Sequence, residues 1–236
     1  MKADCMDTEE FEGHLIVTLP EGRFLVDTGS PTSFARGRCV SFGGATTDVA
    51  DNAMGMLDSD ALSGYVGIRL DGRLGMDVLG QYRLTFDRGR IFVGDGEVCY
   101  DFGKIISDSS FFALETGDFM GIPVVAMNVN KRPVRMFVDT GAKISYLNPA
   151  WLAEFPVEET ADDFYPGVGK FDVDISSVWC DLNGWPFQAK FGRLPPLLQL
   201  TLGMGGVDGI LGHDLFSSYT IRIEKGGRPV SFLPHI

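Results

Sequence analysis

Two aspartates stand out because of the residues around them. Asp27 closes the run Phe24-Leu25-Val26 and is followed by Thr-Gly-Ser; Asp139 closes Met136-Phe137-Val138 and is followed by Thr-Gly-Ala. A carboxylate is among the side chains that bury worst, so an apolar, strand-like run that ends in one needs a reason. A single Asp-Thr-Gly reads as a turn, with Asp and Thr capping backbone N–H groups and Gly taking positive φ. Two copies, each ending an apolar strand at the same place in a duplicated unit, read differently. Pseudo-twofold packing of the units would bring the equivalent turns together and set Asp27 against Asp139. Two carboxylates that close do not both ionise cheaply, so they hold one proton between them and titrate as a unit. Such a pair offers a general base and a general acid together, which is what activating a water against an amide carbonyl requires.

The elements that must position this pair repeat along the chain. "EEFEGHLIVTLPEGRFLVDTGS" and "GDFMGIPVVAMNVNKRPVRMFVDTGA" share Phe-x-Gly, a strand, a polar turn and a second strand that runs into Asp-Thr-Gly. Further on, Arg73–Val93 matches Ile210–Phe232: Leu-Gly-x-Asp, a short helical stretch, a Tyr, then two strands around a charged Gly turn. Period-2 stretches such as "YRLTF" and "YTIRI" mark half-buried strands, and no long 3.6-residue stripe occurs. The expected class is all-β with short helices: a unit over 1–105, a connecting segment over 106–118 and a second unit over 119–236. Each unit is small enough to need the other.

Smaller signals refine this. Asp77 and Asp214, in Leu-Gly-x-Asp, are predicted to cap the short helices that follow. Pro195-Pro196 restricts its stretch to a loop or edge strand. "GMGGVDGILG" reads as a loop entering a strand rather than a phosphate cradle, since no Lys-Ser/Thr follows. Trp151, Trp179 and Trp185 are expected in the core or a cleft wall.

With 236 residues, 44% of them hydrophobic, the chain has ample material for a core, and its 30 glycines and 12 prolines imply many turns. A formal charge of −12 argues against nucleic acid or an anionic membrane as the main partner. No apolar run of signal-peptide or membrane-spanning length occurs, so a cytoplasmic location is expected. Residues 1–10 read as an acidic tail or a remnant pro-segment. Cys5, Cys39, Cys99 and Cys180 are scattered without paired spacing and read as reduced thiols. The three histidines form no ligand cluster, so neither metal nor cofactor is expected.

The doubled motif resembles the pepsin and retropepsin aspartic peptidases, over both halves and most of the chain. Leu25-Val26-Asp27-Thr28-Gly29-Ser30 and Phe137-Val138-Asp139-Thr140-Gly141-Ala142 fit the family's hydrophobic-hydrophobic-Asp-Thr/Ser-Gly-Thr/Ser/Ala pattern, and Ile210-Leu211-Gly212 fits its later apolar-apolar-Gly element. The resemblance implies a small two-lobed member, with pseudo-twofold-related retropepsin-like β-barrel lobes, that cleaves a peptide or protein substrate as a monomer. Asp27 and Asp139 would be catalytic. Thr28 and Thr140 would lock the turns together, and Gly29 and Gly141 would let backbone N–H groups approach the carboxylates. Ser30 would donate to the outer oxygen of Asp27, which Ala142 cannot do for Asp139, leaving Asp27 the more readily ionised. A substrate-covering flap is expected on the second unit, with Phe164, Tyr165, Pro166 and Gly167 near its tip; the competing reading is a surface hairpin whose aromatics pack on their own sheet. Arg73 departs from the family pattern, standing where the first apolar residue of that later element belongs; its two readings are a side chain pointing into the cleft mouth and one that snorkels to solvent, the second favoured. The short first unit keeps a rival open: a peptide-binding or scaffold protein of this fold with little turnover.

Overall fold

Each half of the chain opens with the same hairpin. In the first, His14–Leu19 pairs antiparallel with Gly22–Val26; in the second, Ile122–Val129 pairs with Arg132–Val138. These features come from a computed structural model that describes residues 4–53, 55, 57–95, 98–99, 105–106, 111–114, 116–165 and 169–235. The second strand of each hairpin then takes a parallel neighbour from later in its own half. Gly22–Val26 lies beside Gly72–Leu74, and Arg132–Val138 beside Gly209–Leu211. Short strands Phe34–Ala35 and Tyr146–Leu147 flank those neighbours antiparallel. Strands inserted this way are covered on both faces, which is why "FLV" and "MFV" are continuous apolar runs rather than alternating ones.

A ten-stranded and an eight-stranded sheet hold most of the strands. The ten-stranded sheet crosses between the halves where Leu84–Asp87 pairs antiparallel with Tyr219–Ile223, in the register Leu84↔Ile223 and Phe86↔Ile221. These are the two alternating strands that occupy equivalent places in the repeat, so the duplicated copies join edge to edge through the same segment. One buried apolar cluster runs through both halves, from Phe24, Val26 and Leu84 to Met136, Val138 and Ile221. No helix among the described residues is long and apolar enough to cross a membrane.

Several local expectations are corrected. The acidic start is no tail: Asp4–Phe11 is a strand, paired with Arg90–Val93 and then with His14–Leu19. Its charges sit on outward positions while its backbone closes the sheet. Pro195 and Pro196 do not make a loop or an edge strand; they open the helix Pro196–Met204, where a missing N–H costs nothing because first-turn donors have no helical partner. A second helix, Ser59–Val66, starts where the Asp58 side chain accepts from Ala61 N and stops at Gly67 in the left-handed region. Asp77 and Asp214 stand in the first turns and not at the N-cap positions, which Gly75 and Gly212 hold; Asp77 Oδ1 accepts there from Val78 N at 2.9 Å. Asp77 accepts from Ser33 Oγ and N, and Asp214 from Ser145 Oγ (2.7 Å). Each serine in turn accepts from the glycine of Leu-Gly-x-Asp, Gly75 or Gly212. Trp179 and Trp185 are half-exposed or more, because they occupy outward positions of the Gly169–Leu182 and Trp185–Arg193 hairpin. Part of the connecting segment, including 107–110 and 115, lies outside the described residues, as does the Cys99 side chain; Phe112–Ala113 pairs with Val230–Pro234. Cys39 and Cys180 are free thiols, and burial pushes that of Cys180 up to about 12.

Candidate active site

The two Asp-Thr-Gly turns meet. Each aspartate N–H donates to the carbonyl of the neighbouring parallel strand, Asp27 to Leu74 and Asp139 to Leu211, both at 2.9 Å. The threonines then cross. Thr28 Oγ1 donates to Val138 O (2.7 Å) and accepts from Thr140 N (3.0 Å). Thr140 Oγ1 donates to Val26 O (2.7 Å) and accepts from Thr28 N (3.1 Å). Both threonines are buried, so four hydrogen bonds that water cannot replace tie one half to the other. The glycines permit the contact: a Cβ on Gly29 would fall 2.1 Å from Asp139 Cγ, and one on Gly141 would fall 2.6 Å from Asp27 Cγ. Each carboxyl group thus rests against the other half's turn, where any side chain beyond hydrogen would displace it.

The two carboxyl groups lie side by side, each against the other half's glycine, but are differently supported. Asp139 Oδ1 accepts from Gly141 N (2.8 Å) and Ala142 N (3.2 Å). Burial first, and then the neighbouring Asp27 carboxylate, push Asp139 up to about 8, so the pair retains a shared proton to higher pH than a free carboxyl would. Asp27 has a cation instead. Arg73 Nη1 lies 3.3 Å from Asp27 Oδ2, with both side chains nearly buried. This corrects two expectations. Arg73 does not reach solvent, because Leu25 and Phe34 flank it in register on either side and Thr32 O accepts from its Nη2 at 3.1 Å. Ser30 does not serve Asp27: its hydroxyl donates to Thr32 O at 3.0 Å.

The carboxyl pair forms the floor of a cleft of about 240 Å³. The hairpin Glu159–Tyr165 and Gly169–Leu182 rises from the second half and brings Phe164 and Tyr165 into that cleft; Pro166 and Gly167 lie outside the described residues. Phe164 stacks on Tyr65 of the first half, with ring centres 5.0 Å apart and planes 3° from parallel, and sits 5.5 Å from the His14 ring. Phe164 therefore packs across the cleft, while Tyr165 packs with the apolar cluster of its own half that includes Ile122 and Phe137. Asp163 is buried beside Phe164, accepts from Tyr146 Oη, and is raised by burial. The opposing hairpin of the first half is short, Asn52–Ala53 with Leu57–Asp58, and lines the cleft through Ala53 and Leu57.

Site residues that sequence reasoning did not single out are His14, Tyr65 and Asp163; Arg73 was noted, and it takes the less favoured of its two expected directions, into the cleft. His14 Nδ1 donates to Gly141 O (3.2 Å), a contact between halves, and burial lowers its pKa, so the ring is neutral. The signal for Arg73 was present, since the repeat pairs it with Ile210, a cleft-lining position.

No family model matches the chain, and no curated protein matches it. Among solved structures it is similar to basic 7S globulin from soybean, with a TM-score of 0.54 over 99% of this chain and 95% of that one at 11% identity. At that identity the likeness establishes a shared fold and nothing about activity.

Proposed function

We propose that this chain is an aspartic-type endopeptidase built as two pseudo-twofold-related, retropepsin-like β-barrel lobes, hydrolysing peptide bonds with a water activated by Asp27 and Asp139. The observation that carries the proposal is the crossed arrangement of the turns, which sets two carboxyl groups side by side at the floor of a cleft. In the reaction, the water oxygen bonds to the peptide carbonyl carbon while the ionised member of the pair, Asp27, takes the water's proton. As the carbonyl π bond breaks, its electron pair moves onto the oxygen, which takes the proton from Asp139. Asp27 then passes its proton to the amide nitrogen, the C–N bond breaks, and Asp139 recovers a proton from the collapsing diol. Phe164 and Tyr165 would cover the substrate, with Pro166 and Gly167 at the tip. Both carboxyl groups belong to one chain, so a monomer suffices, and no metal or cofactor enters the scheme.

A second reading, a peptide-binding protein with little turnover, is favoured by Phe164, which already packs with the apolar cluster of the first half that includes Leu57 and Leu62. An unbiased peptide library digested at mildly acidic to neutral pH separates the two. Cleavage by the wild type that is absent from both Asp27→Asn and Asp139→Asn supports the peptidase. Binding without cleavage supports the second reading, and equal cleavage by all three proteins overturns the first.

A further inference from the structure

We propose that Arg73 fixes the polarity of the carboxyl pair, holding the negative charge on Asp27 and the proton on Asp139, and thereby sets the pH interval in which the pair works; this rests on the peptidase reading above. The two halves provide an internal comparison. Arg73 pairs with Leu25 on one side and Phe34 on the other; Ile210 pairs with Phe137 and Tyr146 at the equivalent register. Both line the cleft, one on each flank of the pair. Two copies of one frame thus place a guanidinium beside Asp27 and a hydrocarbon beside Asp139's half.

The guanidinium is fixed, not adventitious. Nη2 donates to Thr32 O (3.1 Å), the Phe34 ring centre lies 5.2 Å from Cζ, and Nη1 meets Asp27 Oδ2 at 3.3 Å. Nε is buried without a hydrogen-bond partner among the described residues, so the side chain is held in place at some loss of hydration. Asp139 receives two neutral backbone N–H groups, whereas Asp27 receives a full positive charge. Among the described residues, the other titratable groups that line the cleft are Tyr165 and Asp163 from the covering hairpin and Tyr146 from its short strand, while His14 of the first hairpin meets the Gly141 carbonyl. Lys143, in the turn after Asp139, is turned toward Asp162 at 3.9 Å. Those groups are unchanged by substitution at residue 73, so a difference between variants isolates the guanidinium.

An adjacent cation favours each deprotonated state of the pair over the state with one more proton. Its removal therefore raises both apparent pKa values of the pair, by about one unit or more for an opposite charge at this range. The variants are Arg73→Ile, which installs the residue the other half carries at the same register, and Arg73→Lys, which keeps the charge. Carbon-13 NMR of aspartate-labelled protein follows the two carboxyl titrations without needing turnover, with resonances assigned through Asp27→Asn and Asp139→Asn. The expected result is that both titrations move up in Arg73→Ile and return most of the way in Arg73→Lys, with the pH–rate profile for peptide cleavage moving alike. Arg73→Gln replaces Arg73→Ile should the latter not fold. Titrations that stay in place in a folded, uncharged variant would overturn the assignment. Should no peptide be cleaved at any pH, the peptidase reading falls while the titration still decides the role of Arg73.

Discussion

At the scale of single residues, burial makes specific demands. A carboxyl group that keeps its proton to higher pH in the folded state binds more protons than the unfolded chain across that interval. It therefore supports the fold at low pH and costs stability as pH rises. Asp139, ordinarily near 3.8 and raised to about 8, has that effect between those values. Asp139→Asn removes it, so the urea midpoint of this variant should fall less than that of the wild type between about pH 4 and pH 8. Thr28→Val removes one hydroxyl but leaves Val138 O and Thr140 N unpaired in a buried site, at about 1–3 kcal/mol each. Urea unfolding of Thr28→Val should therefore show a loss of about 2–6 kcal/mol, with Thr140→Val losing a similar amount through Val26 O and Thr28 N. Asp27, Thr28, Gly29 and their counterparts were legible because their types and order repeat. Arg73 and Ser30 were misread because side-chain direction depends on neighbours remote in sequence: Phe34 and Leu25 closed the outward path of one, and the carbonyl of Thr32 drew the hydroxyl of the other.

At the scale of elements, the covering hairpin is the one most exposed to test. Its hold on the first half runs through Phe164 between Tyr65 and His14, and aromatic pairs of this kind contribute about 0.5–1.5 kcal/mol beyond the area they bury. Phe164→Ala should accelerate amide hydrogen exchange across residues 159–175 up to about ten-fold while leaving the buried Asp-Thr-Gly turns protected. Exchange that rises equally in both regions would mean that the aromatic supports the whole fold and not the hairpin. The hairpin itself was readable from strand, turn and strand signals around "YPGVG". Tyr65 was not, because an eight-residue helix is too short to leave a convincing stripe, although Asp58 and Gly67 mark its two ends in the sequence. The prolines misled for a related reason. Pro-Pro excludes a central strand and a helix interior, but the first turn of a helix tolerates it, and only the apolar "LLQLTL" that follows distinguishes the cases.

At the scale of the whole molecule, the halves are joined by pairing of Leu84–Asp87 with Tyr219–Ile223, by the crossed threonines, and by an apolar cluster that continues from one half to the other. Separating them would expose a sheet edge and the buried faces together. Fragments 1–105 and 119–236 produced alone should stay unfolded or aggregate, and the intact chain should unfold in one cooperative transition seen alike by fluorescence and circular dichroism. Two resolved transitions would mean that each half holds its own structure. This level of organisation was the most legible in the sequence, since duplication of a hairpin, a turn and a closing strand constrains how the copies can meet. The cleft wall was the least legible, because it is made where the copies differ.

The central claim is that Asp27 and Asp139 act as one catalytic unit, and it is tested most directly by kcat/KM for a cleaved peptide in Asp27→Asn, Asp139→Asn and the double variant. Groups that work as a unit give non-additive losses, so each single substitution should cost nearly as much as the pair. A single variant that retains the wild-type rate, or two losses that simply multiply in the double variant, would contradict it.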